Sequence, residues 1–267
     1  MAERTQEEKG KEFRALHEGE PFVIPNPWDV GSAKVLQALG FKALTTTSGG
    51  FAFTLGRHDE EATLDEVVAH TAALASATEI PVAVDLEHGY GREPEHAARA
   101  ITAAAQAGAV GGSIEDWDRE EGIYELEFAA ERVAAAAEAA GALGFDFMFV
   151  ARAENHIRRN PDLDDTIARL QAYEKAGAGA VYAPGLATPD EIRAVCEAVS
   201  VPVNVLVWPG MDLAEVFAAG AQRASVGSQL TWVAADAFAK AAARLREGDL
   251  DALAAEVHLK DWFGPRH

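Results

Sequence analysis

Short apolar runs alternate with longer helical segments along the whole chain. Eight runs rich in β-branched and small apolar residues predict strands at 22–25, 43–48, 82–87, 110–115, 147–153, 180–183, 201–207 and 223–226. Between them, apolar residues recur at three- and four-residue spacing, as in 64–77 and 163–176, which is typical of amphipathic helices. The pattern predicts an α/β protein built from repeated strand–helix units.

Local signals mark where the predicted helices begin and end. Thr188 followed by Pro189 predicts a helix start, because Thr caps the first turn and Pro fits the first helical position. Glycines fall at the ends of five predicted helices, where a residue with positive φ is common. These glycines are Gly40, Gly108, Gly141, Gly177 and Gly220.

Eight strand–helix units in one continuous chain favour a closed (β/α)8 TIM-type barrel, with an open doubly wound sheet as the alternative. No linker rich in Pro, Gly or Ser divides the sequence, so 1–267 is expected to form a single domain. From about Asp249 to Trp262 the pattern continues helical beyond the eighth unit. This additional C-terminal helix carries aromatic residues that are expected to pack on the chain's own barrel or on a neighbouring subunit.

Composition narrows the possible partners and the compartment. The 43 acidic residues exceed the 23 Lys and Arg, giving a formal charge of −20. That charge disfavours nucleic acid and membrane surfaces as partners, and it means that an anionic substrate needs a locally placed cation. One cysteine, Cys196, no apolar signal segment and no stretch of about 20 apolar residues predict a protein of the reducing cytoplasm.

Carboxylates gather at two predicted strand ends, which is where parallel barrels carry their functional groups. Asp85 and Glu87 lie two residues apart and therefore on one face, and Glu115 ends the next strand. Two like charges at about 4 Å repel by roughly 4 kcal/mol at an effective dielectric near 20. A divalent cation relieves this repulsion, and oxygen ligands suit Mg²⁺ or Mn²⁺. The alternative is that these acids cap helices or pair with arginines.

Arg152 is the only cation that the sequence places at a strand end in this acidic mouth. Its planar fork can bind a substrate carboxylate through two hydrogen bonds. The alternative is an internal salt bridge from Arg152 to Glu87 or Glu154.

Two further segments offer weaker candidates. Thr47, Ser48 and Gly49 present hydroxyl and N–H groups that can bind a carboxylate or a developing enolate oxygen, although such residues are also ordinary in loops. Asp59 is either close to the water shell of the metal or a solvated loop acid.

Five segments resemble one family in their order and spacing: NPWD at 26–29, LGRHD at 55–59, DLEHGYG at 85–91, GGSIED at 111–116 and ARAE at 151–154. Over nearly its whole length the chain resembles the isocitrate lyase/phosphoenolpyruvate mutase superfamily. The resemblance implies Mg²⁺ held directly by Asp85, with Glu87, Glu115 and Asp59 acting through water.

The same resemblance implies roles for the other candidates. Thr47, Ser48 and Gly49 would meet the carboxylate and oxo group of the substrate, Arg152 would bind or position it, and Asn204 would contact its far end. Asp59, Glu115 and Arg152 are thereby the candidate catalytic residues. The resemblance further implies a homotetramer in which the C-terminal helix, about 249–267, is exchanged between subunits.

The chain also departs from the family. Lyases of this family carry a Lys-x-Cys-Gly-His loop after Glu-Asp, and mutases a Lys-Thr-Asn-Ser stretch, but here 117–125 is short, acidic and without Cys. Where lyases carry Glu and mutases His after strand six, this chain has APG at 183–185. Cys196 lies on an apolar helical stripe and is expected in the core. His58 and His88 are either structural or proton carriers, and His258 is expected to pack or to form an interface.

These features predict a Mg²⁺-dependent carbon–carbon lyase or decarboxylase that acts on a small 2-oxo or 2-hydroxy (di)carboxylic acid through an enolate. Two alternatives stay open. One is phosphorus–carbon chemistry of the phosphoenolpyruvate mutase type, and the other is a barrel that binds a 2-oxo acid without turning it over.

Overall fold

The structure is a computed structural model that describes residues 4–256 and 259–263. Its strands are β1 Phe22–Ile24, β2 Leu44–Thr45, β3 Val82–Asp85, β4 Gly111–Glu115, β5 Trp117–Asp118, β6 Gly122–Ile123, β7 Met148–Arg152, β8 Ala180–Tyr182, β9 Val203–Leu206 and β10 Arg223–Ser225. Strands β5 and β6 form a separate antiparallel hairpin. The other eight are parallel, in the order β1-β10-β9-β8-β7-β4-β3-β2, and each lies inside a predicted strand. The predicted (β/α)8 barrel is confirmed, and the doubly wound alternative is wrong.

Helices follow the strands around the outside of this barrel. They are α1 Gln6–Glu18, α2 Val30–Ala38, α3 Ser48–Thr54, α4 Leu64–Ala77, α5 Pro94–Gln106, α6 Leu126–Gly141, α7 Leu163–Lys175, α8 Pro189–Ala198, α9 Leu213–Ala218, α10 Gln229–Arg246 and α11 Leu259–Phe263, with a 3-10 turn at Leu250–Leu253. Over the described ranges, no helix combines the length and the apolar character needed to cross a bilayer.

Side-chain caps explain several of the helix boundaries. Thr188 accepts a hydrogen bond from the backbone N–H of Glu191, whose carboxylate accepts one in return from the N–H of Thr188, and Pro189 follows as predicted. Four of the five helix-end glycines have positive φ, between 88° and 109°. Gly141 is the exception, because α6 continues through it and the residue with positive φ is Gly144.

Helix α1 closes the N-terminal end of the barrel. Phe13 is fully buried and packs with residues at the beginnings of the strands, among them Phe22, Ala83 and Val110. Gly111, the first residue of β4, leaves room for this ring, since a Cβ there would lie 2.7 Å from Phe13 Cε1 and 2.9 Å from the carbonyl oxygen of Met148. Helix α1 therefore covers the beginnings of these strands.

The barrel closes between β1 and β2 through fewer hydrogen bonds than elsewhere. One backbone bond crosses this junction, from the N–H of Thr45 to the carbonyl of Pro25 (3.2 Å). Asn26 supplements it: its Nδ2 donates to the carbonyl of Thr46 (2.9 Å), and its Oδ1 accepts from the N–H groups of Val226 and Gly227 (3.0 Å each). A side chain thus ties β1 both to the segment after β2 and to the segment after β10.

The C-terminal region differs from the single additional helix that was predicted from Asp249. The long terminal helix is α10, which ends at Arg246, and the chain then forms only a 3-10 turn and the short α11. Helix α11 contacts α2 of the same chain. His258 and Gly264, which belong to this region, lie outside the described residues.

We expect Gly111→Ala to destabilise the protein by about 1–3 kcal/mol, because the new methyl group overlaps backbone and a ring that cannot move independently. Gly141→Ala is the matched control: its Cβ would meet nothing within 4 Å, and alanine in a helix is favoured by about 0.5–1 kcal/mol. Urea unfolding of both variants measures the difference. Equal midpoints for the two variants would contradict the close packing of α1 under the barrel.

Candidate active site

A cavity of about 250 Å³ opens at the carboxyl ends of the barrel strands. Its lining includes six of the predicted site residues, from the ends of β2, β3 and β7, from within β9 and from the loop after α3: Thr47, Ser48, Asp59, Asp85, Arg152 and Asn204. Glu87, Glu115 and Gly49 lie beside the cavity and are buried. Gly49 allows a close approach, since a Cβ there would lie 2.8 Å from Ser228 Oγ and 3.3 Å from Asp59 Oδ2.

Arg152 lies at the centre of the acidic mouth. Its Nη1 is 3.1 Å from Glu115 Oε2 and 3.6 Å from Asp85 Oδ1, and its Nε donates to Glu154 Oε1 (2.5 Å). The guanidinium also lies over the ring of Tyr182, 5.3 Å from its centroid. Arg152 therefore makes the internal salt bridge to Glu154 that was one of its two predicted roles, while still facing the cavity.

Arg158 is a second cation at this mouth, and it lies in the loop that follows β7, whereas Arg152 ends that strand. Arg158 Nη2 is 3.3 Å from Glu60 Oε1 and 3.5 Å from Glu115 Oε1, and its Nε is 3.1 Å from Glu154 Oε2. Sequence reasoning missed it because Arg158 belongs to the loop after β7 and not to the strand. Its spacing of four residues from Glu154 was the available signal.

Two carboxyl groups of the site are buried and have raised pKa values. Burial, with the charges of Asp85, Asp59 and Glu60, raises the pKa of Glu87 to about 8. Glu87 accepts a hydrogen bond from the Tyr90 hydroxyl (3.4 Å), and no cationic side chain of the described residues lies within 4.0 Å of it. Burial also raises the pKa of Glu115 well above its usual range, although Arg152 opposes this. The arginines thus neutralise only part of the cluster.

Buried polar networks hold the loops that carry these acids. Arg132 donates to the carbonyls of His88 and Arg92 and to that of Gly91 (2.9 Å), which fixes the loop after Glu87. Asp116 accepts from the backbone N–H of Glu154 (2.8 Å) and from Arg169 (3.0 Å). The acidic residues therefore sit on a preorganised frame, which sequence reasoning did not reveal.

A short hairpin forms in the segment 117–125, which departs from the family pattern in sequence. Strands β5 and β6 pair through Trp117 and Ile123, and Asp118 accepts hydrogen bonds from the N–H groups of Glu120 and Glu121. The Trp117 ring lies under Arg158, with the guanidinium carbon 3.3 Å from the ring centroid. The hairpin thus supports a cation of the mouth instead of presenting a thiol.

Asn204 does not have a free amide at the cavity. Its Oδ1 accepts from Arg223 Nε (2.8 Å), and its Nδ2 donates to Ser225 Oγ (3.0 Å). Arg223 was not predicted as a site residue, yet it lines the cavity and its Nη1 bonds to Nε2 of His17 in α1 (3.2 Å). The alternation Arg223, Ala224, Ser225 in β10 was the signal that both polar side chains share one face.

The remaining candidates lie away from the cavity. His58 is exposed, and His88 is half-buried and lines a separate open depression. Cys196 packs against the hydrophobic core, as expected, and burial raises the pKa of its thiol to about 11.

In the ranges 4–256 and 259–263, no three side chains of His, Cys, Asp or Glu are gathered so that they could directly enclose a metal ion. A metal that binds here must therefore take water or substrate oxygens as additional ligands. This is the coordination that Mg²⁺ commonly keeps in proteins.

Known proteins share both the fold and much of the sequence. The family model described as phosphoenolpyruvate phosphomutase matches residues 13–246. The 2-methylisocitrate lyase of Escherichia coli (strain K12) is 30% identical over 205 residues, which cover 73% of this chain and 68% of that protein. A crystal structure of a candidate lyase/mutase from Burkholderia cenocepacia J2315 has 46% identity and a TM-score of 0.92, and the match covers 96% of this chain and 95% of that one.

Phosphonopyruvate hydrolase in complex with oxalate and Mg²⁺ has the same fold, with a TM-score of 0.83 at 23% identity over 93% of this chain and 92% of that one. The chain belongs to the isocitrate lyase/phosphoenolpyruvate mutase superfamily, as its motifs indicated. It is an enzyme of that lyase type, and the site described above is its candidate active site.

The His17–Arg223 contact predicts acid sensitivity. Burial, followed by the charge of Arg223, lowers the pKa of His17 from 6.5 to about 3. Below pH 6.5 the unfolded chain takes up a proton that the folded state refuses, so stability is full above pH 6.5 and falls towards pH 3. This group alone should cost about 2 kcal/mol of unfolding free energy between pH 7 and pH 5. In urea unfolding, His17→Gln should lose that much less over the same interval. An equal loss in both proteins would show that His17 is not held neutral.

Proposed function

We propose that this enzyme is a Mg²⁺-dependent carbon–carbon lyase or decarboxylase that acts on a small 2-oxo or 2-hydroxy (di)carboxylic acid through an enolate of the substrate. The observation that carries the proposal is the unbalanced charge at the barrel mouth. Six acidic side chains, those of Asp59, Glu60, Asp85, Glu87, Glu115 and Glu154, gather at this mouth with three guanidinium groups, those of Arg119, Arg152 and Arg158. A divalent cation suits this excess of acidic groups, because its charge would hold them in their ionised form.

The residues fit Mg²⁺ in chemistry as well as in charge. Asp85 faces the cavity and would hold the ion directly, whereas Glu87, Glu115 and Asp59 would act through water molecules. All are hard oxygen donors, which Mn²⁺ accepts too. Bound there, the ion supplies a Lewis acid for the oxygen on which negative charge develops.

The protein groups around Asp85 fix the geometry for this chemistry. The N–H of Asp85 donates to Thr46 Oγ1 (2.9 Å), and Thr47 Oγ1 bonds to Ser228 Oγ (2.6 Å), which joins the loops after β2 and β10. Ser48 and Gly49 would meet the carboxylate and oxo group. Arg152 would bind or position the substrate through the face that it turns to the cavity.

An apolar wall completes the cavity. Ile157, Leu206, Trp208 and Trp232 are apolar side chains in its lining. With substrate bound, they would limit the access of water, which would protect an enolate from premature protonation and strengthen the charge interactions inside. Carbon–carbon cleavage needs this stabilisation and a proton source, and the lyase cysteine that would supply the proton is absent from 117–125.

The mutase alternative is less well supported. Phosphoryl transfer requires cations that are free to bind a phosphoryl group. Arg119 is the added cation of the hairpin, and it donates to the carbonyl of Asp59 (2.8 Å) and lies 3.4 Å from Glu60. It is therefore already committed to the acids of the mouth.

The cytoplasmic location stays a prediction that rests on the lone Cys196.

Assays with oxaloacetate, 2-methylisocitrate and phosphonopyruvate, each with and without Mg²⁺, test the proposal. We expect Mg²⁺-dependent turnover of either oxaloacetate or 2-methylisocitrate. Asp85→Asn should lower kcat/KM for that substrate by at least about 100-fold and weaken Mg²⁺ binding in calorimetry. Asp190→Asn, at a side chain that is 94% exposed, is the control and should leave both unchanged. Turnover of phosphonopyruvate alone would favour the mutase, and Mg²⁺-dependent binding without turnover would favour the binder.

We further propose that the protein forms a homotetramer in which the C-terminal region, including α10, packs on a neighbouring subunit. Along α10 only Thr231 is buried, and Phe238 is 76% exposed. Phe238 and Leu245 lie two turns apart on one face, with Val233 and Trp232 exposed nearby. A contiguous exposed surface of large apolar side chains usually marks an interface. The resemblance implies that a second copy of this chain covers this surface.

Phe238→Asp should reduce the mass of the assembly from that of a tetramer to that of a smaller species, because it places a charge in the apolar interface. Size-exclusion chromatography with light scattering measures the mass. Leu213→Asp is the matched control, since Leu213 is also an exposed apolar residue (38%) but belongs to a different helix, α9. A monomeric wild-type protein would refute the interface.

A further inference from the structure

One row of side chains crosses the barrel wall from the acidic mouth to the closed end. In register, Glu115 pairs with Arg152, Arg152 with Tyr182, Tyr182 with Asn204 and Asn204 with Arg223. Residues in register on neighbouring parallel strands point to the same face, and the last four line the cavity. Because barrel strands tilt, such a row descends as it runs around the wall. It reaches Arg223 next to His17 of α1, which closes the bottom.

The two arginines of this row have opposite surroundings. Arg152 has three carboxylates within 4.0 Å, from Asp85, Glu115 and Glu154. Arg223 is only 4% exposed, and among the residues that the structure describes no carboxylate lies within 4.0 Å of it. Its side-chain partners are Asn204 and His17, both neutral, since the lowered pKa of His17 keeps the imidazole uncharged.

A buried guanidinium without a counterion is costly, and proteins rarely keep one. Packing alone does not require Arg223, because an uncharged side chain could fill the same space. The planar fork of arginine is suited to a carboxylate. Ser225, which donates or accepts through its hydroxyl, lines the cavity beside it. The floor of the cavity thus has the chemistry of an anion site, opposite in sign to the mouth.

We propose that Arg223, positioned by Asn204 and assisted by Ser225, binds a second carboxylate of the substrate at the cavity floor and so selects dicarboxylic over monocarboxylic acids. This inference rests on the proposed function, in which the first carboxylate and the oxo or hydroxy group lie at the mouth. The cavity, at about 250 Å³, is smaller than the roughly 300–1,000 Å³ of pockets for drug-sized ligands. A cavity of this size suits an acid of a few carbons, whose second carboxylate would then lie at the floor.

Malate and lactate provide a matched pair of probes, since both are 2-hydroxy acids and only malate carries a second carboxylate. In calorimetry with Mg²⁺, the wild-type protein should bind malate at least about tenfold more tightly than lactate. Arg223→Gln should remove this preference by weakening malate alone, and Arg223→Lys should retain part of it. Arg193→Gln, an exposed arginine on α8, is the control and should leave the preference unchanged.

A malate preference that persists in Arg223→Gln, or is missing from the wild type, overturns the inference. Should Arg223→Gln fail to fold, a crystal of the wild-type protein with malate decides, because the second carboxylate must lie within hydrogen-bond distance of Arg223 and its placement elsewhere refutes the site. The two proposals separate cleanly. An Arg223-dependent preference for malate over lactate without turnover of any acid supports the floor site and contradicts the proposed reaction. Turnover without this preference supports the proposed reaction and contradicts the floor site.

Discussion

The ion-pair cluster around Arg152 is the interaction on which the mouth of this barrel depends. Its guanidinium joins the ends of three neighbouring elements, since Asp85 ends β3, Glu115 ends β4 and Glu154 follows β7. Removing one partner from a buried cluster leaves an uncompensated charge, which is far more costly than the pair is stabilising. The cluster therefore constrains all of its members together, and the acids stay close although they repel one another.

Substrate chemistry and structural stability use the same charges at this mouth. Arg158 supports the outer side of the cluster and rests on Trp117 of the hairpin, so the segment that departs from the lyases is connected to the acids. The hairpin contributes packing and charge balance to the mouth. One fold can serve several reactions because the loops on a common frame can differ.

The sequence was sufficient for the frame because its signals are local. All eight barrel strands lie within predicted runs, and the caps at Thr188 and the glycines required only neighbouring residues. Arg158 was missed because it belongs to a loop, whose path depends on contacts distant in sequence. Arg223 was missed because strands of a parallel barrel are buried on both faces, so that alternation does not show which side faces the cavity. The prediction that the acids repel one another was incomplete because some of their cationic partners, such as Arg158, come from segments that sequence reasoning could not place beside them.

The junction between β1 and β2 gives the cavity a mechanical property of its own. Asn26 replaces part of the missing strand pairing there, and Asn26, Thr45 and Thr46 all line the cavity. A ligand that occupies the cavity consequently touches both sides of the least hydrogen-bonded junction in the wall. Ligand binding would therefore also stabilise the closure of the barrel between β1 and β2. The amide protons at this junction would then exchange with solvent most slowly when the enzyme is saturated with its ligand.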